Sequence, residues 1–196
     1  IPDTKDAELA WLSWKTLERQ GYRVRFINSD RLHGYPSETY NINTRLLGIA
    51  ARPELRAIVG DAAYDAASYL VPIDPNAGHR WIGQGVRTAF ALYYRIAALY
   101  PSKRWPCTPG GLWDFFGRGV DDIHDDLLLW AADSRMPDET GMCRTVASLT
   151  QSRDQWNAYF STIIERLQGF QPGSAARAAT ERNSFDPGDM KRERTA

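Results

Sequence analysis

The chain has 196 residues, 43% of them apolar and with 7 Trp, 9 Tyr and 7 Phe, which is enough to build the core of one good-sized domain. Its 24 basic and 24 acidic residues cancel, which removes the basic excess of a dedicated nucleic-acid binder but leaves room for a local basic patch. Two cysteines, Cys107 and Cys143, are too few for a disulfide scaffold and lack metal-ligand spacing; no apolar run reaches the roughly 18 residues of a membrane span, and no signal peptide is visible.

The cysteines therefore read as two reduced cytosolic thiols. The start at Ile1-Pro2-Asp3, without a methionine, reads as a piece of a larger protein. Asp6 is placed to cap a helix carrying Ala7, Leu9, Ala10, Leu12, Trp14 and Leu17, which Gly21 ends. In Tyr22 to Ile27, the residues Tyr22, Val24 and Phe26 alternate with arginines, the pattern of a half-buried strand. Its companion strands are not evident in the chain, as if part of an α/β domain were missing. Ser29 to Asn43 is a polar loop, and Thr44 to Ala51 suits a short helix. Pro53 fits the first turn of a segment through Leu70 that Gly60 is expected to divide.

After a turn cluster at Asp74-Pro75-Asn76 and Gly78, the run His79 to Tyr100 forms the organising element. Ile82, Val86, Ala89, Phe90, Tyr93, Ala97 and Tyr100 recur at helical spacing, and Pro101 stops the run. Trp81, Leu92, Ile96 and Leu99 lie off that stripe, so most of the circumference is apolar and other helices should surround it. Beyond a loop holding Lys103, Arg104 and Trp105, Thr108 caps a helix with Leu112, Trp113, Phe115 and Phe116. Helices follow from Asp121 to about Ser134, from Asp138 or Glu139 to Leu149, and, capped by Ser152, through Trp156, Tyr159, Phe160, Ile163, Ile164 and Leu167. From Gln171 the composition predicts an extended, partly disordered return segment with a charged end at Lys191 to Arg194. The fold class is mainly α: a bundle of about six to eight helices between Thr44 and Gly169. Three stretches result: 1–43 as a helix–strand flank and loop, 44–170 as the helical domain, and 171–196 as the return.

The chain has no GxxxxGK[ST] loop, no GxGxxG, no HExxH and no CxxC, so it is expected to bind no nucleotide and to hold no cofactor or metal. His33, His79 and His124 are scattered without cysteine partners, and the run at 78–81 reads as a helix entry. One constellation stands out: Asp121, Asp122, Asp125 and Asp126 around His124. On a helix, Asp121 with Asp125 and Asp122 with Asp126 are neighbours one turn apart. Three readings apply: an acidic first turn favoured by the helix dipole, a protein-contact patch, or a divalent-metal site like the DDxxD of isoprenoid synthases, which would require a second acidic helix that is absent.

Several stretches, in order, resemble type IV secretion coupling proteins, the TraG/TraD-like conjugation ATPases. Asp3, Lys5 and Glu8-Leu9-Ala10 are similar to their D-x-K-x-E-L-A stretch, and Gly21, Val24, Ile27 and Asn28 match the strand that follows. Tyr40-Asn41, Leu70-Val71-Pro72, Trp81 to Leu92 with Gly85-Val86-Arg87, Gly111 to Phe116, and Ser184-Phe185-Asp186 resemble later features of that family. The resemblance implies an all-α domain inserted in a RecA-like motor domain, with an α/β remnant of the motor at the N-terminus. Its Walker A and Walker B elements, with the ATP and Mg they hold, would lie in the parent, so this fragment would not be an enzyme. The parent would be a hexameric, membrane-anchored ATPase at the cytoplasmic face of the inner membrane, and the fragment itself soluble. Its partners would be a relaxase, a relaxosome accessory protein or a secreted substrate, with DNA as a further candidate. Asp121, Asp122, Asp125 and Asp126 would then be the partner-binding residues, with Lys103, Arg104 and Trp105 next. Two other classes stay open: a helical enzyme using the carboxylates on a diphosphate, and a small DNA-binding domain touching phosphates with the 103–105 loop and Arg144.

Overall fold

The computed structural model describes residues 8–27, 37–73 and 80–185. The Asp6 cap, most of the Ile1 to Ala10 stretch, His33, His79, the 74–78 turn cluster, Asn28, Asp186 and the charged end lie outside the described residues. The fold is mainly helical: α1 (Glu8–Arg19), α2 (Thr44–Ala50), α3 (Val59–Leu70), α4 (Arg80–Leu99), α5 (Pro109–Phe116), α6 (Val120–Ala132), α7 (Thr140–Leu149), α8 (Arg153–Leu167) and α9 (Ala175–Thr180). None of them is long and apolar enough to cross a membrane. The chain divides into two compact units, one from the described parts of Ile1–Asn41 and Gly173–Ala196, the other Ile42–Pro172.

In the first unit α1 gives way at Gly21, whose φ of 84° is left-handed and suits a residue without Cβ at a helix end. The strand expected over Tyr22 to Ile27 is not formed; no strand occurs among the described residues, and Arg23 alone makes a bridge. Alternation gives a segment two faces, but a ladder needs a neighbouring extended chain over its whole length. Here Glu38 N–H bonds the Phe26 carbonyl at 2.6 Å, and Arg25 reaches Glu38 at 3.3 Å. The return segment, expected to be extended, instead folds as α9. Ser174 Oγ accepts from Arg177 N at 3.2 Å, and the alanines that follow have the highest helix propensity.

Within this unit the segments 39–41 and 179–185 lie side by side. Ser184 N donates to the Thr39 carbonyl at 2.9 Å and Thr39 N to Ser184 Oγ at 2.8 Å. Tyr40 N bonds the Ala179 carbonyl at 2.8 Å, Asn41 N bonds Asn183 Oδ1 at 2.7 Å, and the Tyr40 ring stacks on Phe185 at 5.9 Å.

The second unit is a bundle of seven α-helices, α2 to α8, built around α4. From Ala89 to Ala98 every residue of α4 except Arg95 is buried, because α2, α3, α7 and α8 pack around it. The first turns depart from the all-round apolar expectation: Trp81 is 46% exposed and meets Tyr159 edge-on at 5.7 Å. Close packing there explains Gly85, since a Cβ would lie 2.4 Å from the Tyr159 ring. The division expected at Gly60 falls just before it: Pro53–Ile58 is a 3-10 turn and α3 begins at Val59.

Cap residues set the later helices. Thr108, 5% exposed, accepts from Gly111 N at 3.0 Å, with Pro109 as the first helical residue of α5. Replacing Thr108 with alanine strands that N–H in a buried site. Denaturant unfolding should show a loss of about 1–2 kcal/mol. Unchanged stability would mean that α5 is held by packing alone.

Candidate functional site

Helix α6 carries the acidic cluster. Ile123 and Leu127 point into the core, and that fixes where the carboxylates go. Asp121, Asp122 and Asp125 are exposed. Asp126 is not: its side chain is 13% exposed and ion-paired with Arg118 at 2.8 Å and with Arg104 at 3.6 Å. The cluster is therefore three free carboxylates and one committed to the fold. His124 is structural as well. Its Nδ1 lies 2.8 Å from Thr150 Oγ1 and 3.3 Å from the Ala147 carbonyl. The Thr150 hydroxyl donates to Ala147 at 2.7 Å, which leaves Nδ1–H as the donor to Thr150 and ties α6 to the end of α7. Among the described residues no three His, Cys, Asp or Glu side chains converge as metal ligands would.

The 103–105 loop is coupled to the cluster. Trp105 is half-buried against Phe115 at 5.1 Å, edge to face, and the guanidinium groups of Arg104 and Arg118 each lie 4.6 Å from its ring centroid. Arg118 also lies over Phe115 at 4.9 Å. Asp126, Arg104, Arg118 and Trp105 thus form one ion-pair and cation–π cluster that brings the two predicted contact regions together. Lys103 is exposed at its edge, and Arg144 is exposed on α7.

Two features of the site escape the sequence reading. Leu128 and Leu129 are 43% and 65% exposed on α6, following the free aspartates along the outer face of the same helix. The signal was the apolar run Leu127 to Ala132, longer than one face of a helix can bury. The second is a cleft of about 460 Å³ between the end of α4, the 102–105 loop and the end of α6, lined by Tyr100, Trp105, Trp130 and Asp133 among others. Behind Tyr100 sits Glu139, whose fully buried carboxylate accepts from Arg95 Nε at 3.0 Å and from the Tyr100 hydroxyl at 3.2 Å. Both cysteines are buried thiols outside any disulfide; burial, aided at Cys143 by the Glu139 charge, pushes them up to about 12, so neither is a reactive thiolate.

The arrangement comprises exposed carboxylates beside leucines, and an aromatic cleft with charged groups at its rim. No protein-family model, no curated protein and no solved structure matches the chain, so its function is argued from these sites.

Proposed function

We propose that the chain is the substrate-recruiting all-α domain of a type IV coupling protein, acting in conjugative DNA transfer or type IV secretion. The observation that carries this reading is topological. The segments before and after the helical unit are hydrogen-bonded to each other through Thr39, Tyr40, Asn183 and Ser184, the geometry of an insertion leaving and re-entering one host domain. Two of the stretches on which the resemblance rests, Tyr40-Asn41 and Ser184-Phe185, are the ones that meet there. ATP and Mg would belong to the parent's motor domain. The sequence contains no GxxxxGK[ST] motif, the loop whose backbone amides and lysine cradle phosphates.

Recruitment would use the outer face of α6. Relaxases and their accessory proteins bind DNA and so carry positive patches, which Asp121, Asp122 and Asp125 complement while Leu128 and Leu129 supply apolar area. The diphosphate-enzyme alternative draws no support from the described residues, among which no three His, Cys, Asp or Glu side chains converge as metal ligands would.

Changing Asp121, Asp122 and Asp125 together to asparagine, with Asp126 kept, should weaken binding of a basic relaxosome protein by roughly tenfold at low salt and less at high salt, since each exposed charge contributes about 0–1 kcal/mol. Helix content should be unchanged. Equal binding by the variant at both salt concentrations would place the contact elsewhere. A reading frame with no phosphate loop upstream of this segment would overturn the assignment as a whole.

A further inference from the structure

The cleft between α4 and α6 has an electrostatic character that its composition hides. Two helices end at it. The last turn of α4, Ile96 to Leu99, contains no basic residue, and neither does the last turn of α6. Helix C-termini carry partial negative charge on carbonyls that lack a donor. At α4 the Tyr100 N–H satisfies Ile96 at 2.8 Å, but Pro101 has no N–H to offer Ala97, and Ile96 and Ala97 both line the cleft. At α6 the capping residue is itself a carboxylate, Asp133. The walls are aromatic. Trp130 is stacked on Phe115 at 4.8 Å and 12°, which fixes its plane, and Trp105 and Tyr100 also line the cleft.

Carboxylate, carbonyl ends and the Trp130 wall favour a cation, whereas Trp105 already carries the guanidinium groups of Arg104 and Arg118. The chain shows which one. Arg135 lays its guanidinium on Asp133, with Nε 3.0 Å from Oδ1 and Nη2 2.6 Å from Oδ2, a two-pronged fork. That side chain is 79% exposed, so the fork is held from one side only and is open to exchange. Its hydrogen bonds hold the Asp133 carboxyl down at about 2, so the acceptor stays charged across the physiological range.

We propose that this cleft is a binding site for an arginine side chain of a basic partner segment, which displaces Arg135 from Asp133 and lies against Trp130. The site rests on the recruitment reading only in taking the partner to be a protein. It is separate from the exposed carboxylates of α6.

The test uses the full chain and an acetylated, amidated Gly-Arg-Gly-Arg-Gly peptide, with a citrulline version as the neutral isostere. Binding is followed by calorimetry and by the indole N–H resonance of Trp130. The arginine peptide should shift that resonance and the citrulline peptide should not. Asp133→Asn keeps the oxygen that accepts from Arg135 N at 2.9 Å and should weaken binding at least tenfold without unfolding the chain. Arg135→Ala removes the internal competitor and should tighten it. Equal binding of the citrulline peptide, an unmoved Trp130 signal, or undiminished affinity in Asp133→Asn would each overturn the proposal. The Asp121, Asp122 and Asp125 triple variant should bind the arginine peptide as the parent does. If that variant also keeps its relaxosome partner, the recruitment surface fails while the cleft stands; if the peptide fails but the partner responds to the triple variant, the reverse holds.

Discussion

Replacing Phe115 with alanine is expected to cost about 3–5 kcal/mol, the range for a fully buried phenylalanine whose cavity cannot collapse. Phe115 is fully buried at the centre of an aromatic cluster. Its ring stacks on Trp130 at 4.8 Å, meets Phe116 at 4.9 Å and Trp105 at 5.1 Å edge-on, and lies 5.4 Å from Tyr93. Neighbours of that size on every side cannot all move in to fill the space, and Arg118 loses one of its two rings. For a chain of this size the unfolding midpoint should fall by roughly 10 °C or more. The same substitution frees the plane of Trp130 and so loosens the cleft. Calorimetric unfolding and the Trp130 indole signal measure the two effects separately. A loss below about 1 kcal/mol would show that the cluster repacks and that Phe115 does not organise it.

Glu139→Ala should have the second largest effect, about 3 kcal/mol. Its carboxylate is fully buried and holds Arg95 and the Tyr100 hydroxyl, while Tyr100 in turn accepts from Arg56 at 2.8 Å. Removing the acid leaves the Arg95 guanidinium without its counter-charge in a site that is about three-quarters buried. Breaking a buried pair from one side is far more costly than the pair's net contribution. Because Arg95 keeps 24% exposure, water recovers part of the loss, which places the effect toward the low end of the usual 3–5 kcal/mol range. The informative comparison is the double variant with Arg95→Met, where no unpaired charge remains. It should regain part of the stability, and a double-mutant cycle by urea unfolding gives the coupling. If the double variant is less stable than Glu139→Ala alone, Arg95 contributes mainly through its packing against α3 and α7.

Local signals agree with the structure at α4, α5 and α8. Helix α4 was expected over His79 to Tyr100 and spans Arg80–Leu99, because a proline stop and a long stripe act within a few residues. Thr108 and Ser152 cap α5 and α8 as their positions predicted. The readings that failed depended on composition or on distant partners. Alternation over Tyr22 to Ile27 could not supply a ladder, and the alanines after Ser174 looked like linker although they have the highest helix propensity.

For the candidate site the boundary between the two kinds of information is sharper still. The sequence by itself determined that α6 would open on carboxylates and that those one turn apart would share a side of the helix, because helical spacing is a property of the backbone. It also contains no GxxxxGK[ST] motif. Only the tertiary structure decided which carboxylates are free. Asp126 and Asp122 are neighbours in the helix, yet the chain turn before α6 puts Arg118 against Asp126 and leaves Asp122 exposed. Likewise the cleft joins the ends of α4 and α6 with the 102–105 loop, segments whose proximity no local pattern encodes. Burial sets the value of a charge, and burial is a property of the packed chain rather than of the residue.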